Sequence, residues 1–177
     1  MFSTHCYLFA NHCTTPVVMA AFMVIALGGT VWAATTAEAT VTYEVTAINE
    51  ISVSGSPAKL TISTAIAGSE PTAATNSLTT YSITTNGTTM KITGQLNAEM
   101  DPGLTLKVNL ADPDDAGTAI SKGDVELSDT TAADLVTGIN QLVASGKTIT
   151  YTLSATVAAG KITSGTKTVT FTITSEP

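Results

Sequence analysis

Apolar and threonine-rich polar residues alternate with a period of two along most of this chain, and no other feature restricts its fold as strongly. Residues 40–46 (TVTYEVT) set Val41, Tyr43 and Val45 on one face, with threonine and glutamate on the other. Residues 59–66 repeat the pattern with Leu60, Ile62 and Ile66. Residues 104–110 do so with Leu104, Leu106, Val108 and Leu110. In residues 148–157 the inward set is Ile149, Tyr151, Leu153, Ala155 and Val157, and in residues 167–174 it is Val169, Phe171 and Ile173. Side chains of a strand point alternately to its two faces, so this period describes strands with one buried and one wet face. Threonine makes up about a fifth of residues 34–177, and a β-branched polar side chain suits the wet face of a sheet.

Turn chemistry separates the runs. Asn86-Gly87 lies between two alternating stretches, and both residues tolerate positive φ, so it predicts a β-hairpin. Residues 101–103, 112–117 and 122–124 read as loops, and residues 68–76 as a longer polar connection. Short strands at this spacing predict an all-β fold, an antiparallel immunoglobulin-like β-sandwich. Residues 131–145 leave room for one short helix. Leu135, Ile139, Leu142 and Val143 stand at helical spacing, Thr131 and Asp134 could form a capping box, and Gly146 could follow the last turn. Gly138, Val136 and Thr137 oppose a helix, and a strand over residues 134–139 fits the sandwich, so the strand is preferred.

Residues 17–31 form an apolar run, and Val31-Trp32-Ala33 presents small residues where a signal peptidase reads. A signal peptide over residues 1–33 with cleavage after Ala33 is therefore expected, leaving residues 34–177 as a single β-sandwich domain. No lysine or arginine precedes the run, and its polar lead is long; a true start at Met19 would account for both. A retained anchor is the competing reading, because residues 16–34 approach the roughly 20 apolar residues of a membrane span. Cys13 precedes the run, which excludes a lipoprotein, and the run lacks the early glutamate of a type IV pilin. The expected location is secreted or at the cell surface, with no membrane association once the leader is gone.

Function classes fall away with composition. His5, Cys6, His12, Cys13 and Trp32 all lie ahead of Ala34, and arginine is absent. Without the leader there is no imidazole, thiol or guanidinium for neutral-pH acid–base catalysis, thiol chemistry or bidentate phosphate binding. All 14 acidic residues and all seven lysines follow the leader, for a formal charge of −7. That balance argues against nucleic acid and anionic membranes as partners. Glycoside hydrolysis needs two facing carboxyl groups, and Glu44 with Glu99 could be nominated only arbitrarily. No catalytic residue is assigned, and the chain is read as non-enzymatic. Asp112, Asp114 and Asp115 form the one acidic cluster and the sole calcium candidate. The spacing is not that of an EF-hand, since Gly123 occupies the closing position, and a solvated acidic turn is the plainer account. No cofactor is expected otherwise.

Position supplies a further signal. Residues 34–39 form a small, flexible lead into the alternating run at 40–46. A strand at the start of a mature chain can complete a neighbour's sheet, and such head-to-tail contacts do not close but grow filaments. Val41, Tyr43 and Val45 are the donor-strand candidates; as an ordinary first strand of their own domain they would serve only its core. Leu135-Val136-Thr137-Gly138-Ile139, then residues 145–155 (SGKTITYTLSA), then Ala159-Gly160 and a threonine-alternating last strand resemble the C-terminal part of bacterial secreted fimbrial and spore-coat-U-like β-sandwich subunits. The resemblance covers the last third of the chain and implies export, polymerisation by strand exchange and no enzymatic activity. Many such subunits carry a disulfide, and residues 34–177 contain no cysteine. The expectation is a structural subunit of a surface or extracellular matrix filament that self-associates. Its rival is a monomeric adhesin-like module that recognises a glycan or protein through its loops, with calcium in the Asp112 loop.

Overall fold

The computed structural model describes residues 35–115 and 117–177. The leader expected over residues 1–33 lies outside them. The chain divides into two compact units, Met1–Thr42 and Tyr43–Pro177. Of the first, residues 35–42 are described; they carry no regular secondary structure and are exposed.

Among its described residues the second unit has nine strands: β1 Asn49–Val53, β2 Ala74–Thr85, β3 Met90–Leu96, β4 Leu104–Leu110, β5 Ile120–Ser121, β6 Val125–Glu126, β7 Ala133–Ile139, β8 Leu142–Ala155 and β9 Val169–Ser175. They form two antiparallel sheets, a five-stranded one in the order β1-β2-β8-β4-β6 and a four-stranded one in the order β5-β7-β3-β9. The fold is an all-β sandwich. Its core lies between the sheets, where the alternation puts it: Leu106, Val108 and Leu110 from β4, Ile149 and Tyr151 from β8, Tyr81 and Ile83 from β2, Ile92 and Leu96 from β3, and Leu135, Val136 and Ile139 from β7. Fully burying each such aliphatic side chain contributes about 1.5–3 kcal/mol.

Connectivity departs from the expected hairpins. From β3 onward each strand lies in the sheet opposite its predecessor. Asn86-Gly87 is therefore part of a corner that carries the chain from one sheet to the other. The turn chemistry also differs from the reading: neither Asn86 nor Gly87 takes a positive φ, and Thr89 does instead, at +54°, while Tyr81 and Ile83 on one side and Met90 and Ile92 on the other are all buried. Laying β2 and β3 against opposite walls of one core buries both runs.

Residues 131–145 hold no helix. They form β7 and the start of β8, joined at Asn140 and Gln141. Gly138 has φ +74° inside β7, and its α-carbon passes so close to Thr118 that an added Cβ would sit 2.4 Å from that carbonyl oxygen. The apparent helical stripe is broken at Val143, which is 76% exposed, and register shifts in the β3–β7 pairing let consecutive Leu135 and Val136 both be buried. Two other runs alternate without forming strands. Residues 59–66 find only one bridge, Ala65 to Pro71, and Ile66 is exposed. Residues 40–46 precede β1 and form none. β8 stops at Ala155, so Val157 sits exposed in a single 3-10 turn, Val157–Ala159.

Gly138 provides a direct check on the corner geometry. Gly138→Ala combines a positive φ with a backbone clash, and is expected to lower unfolding stability by about 2 kcal/mol or more in urea titration. A substitution at exposed Leu78, such as Leu78→Ala, should stay within about 0.5 kcal/mol.

Candidate assembly site

Val41, Tyr43 and Val45 are 77%, 88% and 77% exposed. Every residue from 35 to 50 is exposed, so the face that the alternation makes apolar is not buried in this chain's own core. Such a face is unusual, because a strand-like apolar pattern normally marks burial against a sheet. Tyr43, expected in the core with Tyr151 and Phe171, is corrected: Tyr151 is buried, Phe171 is half-buried and Tyr43 stands in solvent.

The chain just after this segment is held firmly. The β1–β2 ladder ends at Asn49 opposite Thr85, and Asn86 carries it further. Its backbone N–H donates to the Ile48 carbonyl (3.1 Å), its Oδ1 accepts from the Ile48 N–H (2.8 Å), and its Nδ2 donates to the Thr46 carbonyl (2.8 Å). The Asn49 side chain in turn accepts from the Thr85 hydroxyl at 2.6 Å. The local sequence marks Asn86 as a turn residue. Its grip on residues 46–48, far away in the chain, has no local signal.

One lateral edge of the sandwich is open. There β1 faces β9, and a cleft of about 140 Å³ is lined by Ile51, Ser52, Val53, Val169 and Phe171. A larger recess of about 450 Å³ lies elsewhere, with Leu104 and Leu106 in its wall and Glu99, Asp101, Glu126 and Asp129 around it.

The three aspartates of the calcium candidate are placed on one loop, and the carboxylates of Asp112 and Asp115 hold protein partners. Asp112 Oδ1 accepts from the Ser121 N–H, Asp115 pairs with Lys147 Nζ at 2.8 Å, and the Asp114 carbonyl receives the Gly117 N–H at 3.5 Å. Among the described residues no group of three or more histidine, cysteine, aspartate or glutamate side chains is arranged to hold a metal ion. Asp112 also bears on Tyr81, whose hydroxyl donates to the Ala111 carbonyl. Burial first, and then the Asp112 carboxylate, push the Tyr81 phenol well above its ordinary value near 10. The interaction is structural, tying β2 to the loop after β4.

No family model, curated protein or solved structure matches this chain.

Two measurements test these assignments. Because the folded-state value of Tyr81 is raised, its contribution to stability is complete below about pH 10 and is lost as pH rises beyond it. Tyr81→Phe should lose about 1 kcal/mol at pH 7 and show a shallower decline of its urea midpoint above about pH 10 than the unaltered protein. Asp112→Ala should lose about 1 kcal/mol, equally in calcium and in chelator, whereas Lys147→Met should stay within about 0.5 kcal/mol because Asp115 is largely solvated.

Proposed function

We propose that this protein is a secreted, non-enzymatic structural subunit of a cell-surface or extracellular matrix filament, assembled by donation of its N-terminal strand. One observation carries the reading: Val41, Tyr43 and Val45 form an alternating apolar face that its own chain leaves exposed. Burial of each in a neighbour would supply about 1.5–3 kcal/mol, and an added strand would gain main-chain hydrogen bonds along an open sheet edge. Donation from one copy to the next is head-to-tail and self-propagating, which suits a filament. The fimbrial-like pattern of β7 to β9 agrees with such a role. The absence of histidine, cysteine and arginine after residue 33 agrees with a structural one.

Deletion of residues 35–45 tests the reading while leaving the Asn86 ladder intact. The full chain, exported with its own leader and imaged by negative-stain electron microscopy over a range of concentrations, should form filaments. The deleted chain should remain as single particles with the same circular dichroism spectrum. Filaments from the deleted chain would remove strand donation. Single particles from the full chain at every concentration would favour a discrete binding module instead.

A further inference from the structure

We infer that the open edge between β1 and β9 is the acceptor for residues 40–46 of a second copy of this chain, with the Tyr43 ring seated among Ile51, Val53, Val169 and Phe171. The inference rests on the strand-donation reading and names the surface that would receive the strand.

The two lateral edges of the sandwich are built differently. On one, the sheets end in β5 and β6, strands of two residues each. Very short edge strands are a common protection against unwanted pairing. On the other, the sheets end in β1 and β9, of five and seven residues. Among the described residues each pairs on one side alone, β1 with β2 and β9 with β3, and neither contains proline. A long, unblunted edge is a template for another strand.

The side chains between these edges are correspondingly incomplete. Ile51, Val169, Phe171 and Ile173 pack on the core but are only partly covered, and Val53 is 44% exposed. β9 matches the donor in both length and pattern. It has seven residues with Val169, Phe171 and Ile173 on its inward face. Residues 40–46 are seven, with Val41, Tyr43 and Val45 on theirs. Laid along the free side of β9, the donor would offer its own three apolar side chains to that same layer, facing the β1 wall. The cleft of about 140 Å³ is close to the size of an apolar cavity that takes up a benzene ring, so one aromatic side chain fits it.

The occupant is a second copy for a reason found in the ladder. A turn that returned Tyr43 and Val45 along their own β1, or onto β9 facing it, would have to occur at residues 46–48. Asn86 holds Thr46 and Ile48 by three hydrogen bonds beyond the last β1–β2 pair. The same bonds that anchor the segment deny it the turn it needs to complete its own sandwich.

The full chain carrying Tyr43→p-benzoylphenylalanine, mixed with an equal amount of ¹⁵N-labelled unaltered protein, is illuminated after assembly and its adducts are mapped by mass spectrometry. Isotopically mixed adducts at residues 51–53 or 169–171 are expected. Mixed adducts elsewhere, on β5 or β6 for instance, would overturn this acceptor while leaving strand donation standing. Adducts confined to one copy would overturn the second-copy assignment, and absence of both filaments and adducts would remove donation along with it. Val53→Lys provides the parallel reading, since it brings a charge into the apolar cleft at a partly exposed position. Filament yield should fall at least about tenfold with the circular dichroism spectrum and urea midpoint unchanged; an unchanged yield would overturn the acceptor.

Discussion

Everything in this sandwich depends on one topological constraint: from β3 to β9, each strand lies in the sheet opposite the one before it. No strand in that series can pair with its immediate neighbour in sequence. The ladders join strands remote along the chain, β2 to β8, β3 to β9 and β4 to β8, so local turns cannot set their register. Register must come from the buried face of each strand and from the corners where the chain crosses. The corners are accordingly rich in side-chain bonds. Asn140 Oδ1 accepts from the Thr89 N–H at 2.8 Å, and its Nδ2 donates to the Thr118 hydroxyl at 3.0 Å. Gln141 N–H donates to the Gly87 carbonyl and Glu176 N–H to the Thr89 carbonyl, each at 2.8 Å. Glu176 Oε1 also accepts from the Gly138 N–H at 2.6 Å. The β2–β3 corner, the β7–β8 corner and the end of β9 thus hold one another in place.

The same connectivity decides which edges remain open. The first and last strands, β1 and β9, finish on the same lateral side and face each other, while the opposite side is closed with two-residue strands from the middle of the chain. A sandwich whose first and last strands flank one edge brings unpaired backbone and half-covered apolar side chains into a single region, next to the point where the chain enters β1. Asn86 sits at that entry, holding residues 46–48 and so setting where the preceding segment leaves the ladder.

Much of the fold was legible because alternation reports burial of one face directly. The runs at 104–110, 148–157 and 167–174 became β4, most of β8 and β9. Leu106, Val108, Leu110, Ile149 and Tyr151 are buried and Val169, Phe171 and Ile173 pack on the core, while Leu104, Leu153 and Ala155 are half-buried and Val157 is exposed. Alternation does not report a strand's partner. Residues 40–46 and 59–66 carry the same local signal as β4 but find no ladder, and Asn86-Gly87 looks alike at a hairpin and at a crossing. At 131–145 a helical stripe arose by coincidence, from a bulged strand followed by a corner, with Val143 left in solvent. Of the candidate sites, Val41, Tyr43 and Val45 could be named from pattern, whereas their exposure required the structure. The bonds of Asp112 to Ser121 and Asp115 to Lys147 span the fold or the loop and had no trace in spacing.

An incoming strand must offset the cost of its own ordering. Fixing a residue's backbone costs about 1–2 kcal/mol, so burial of three apolar side chains does not by itself offset the ordering of seven residues. Main-chain hydrogen bonds to an unpaired edge have to supply the rest, each at about 0.5–1.5 kcal/mol net. A cavity without a free edge is therefore a poor acceptor, however large. The recess of about 450 Å³ illustrates the point, because the backbone in its wall is already paired: Leu96 N–H donates to the Ser128 carbonyl and Leu127 N–H to that of Leu106. The β1–β9 edge joins a smaller cleft to two strands with a side unpaired, and in a chain with no cysteine after residue 33 that combination offers assembly a physical basis without covalent help.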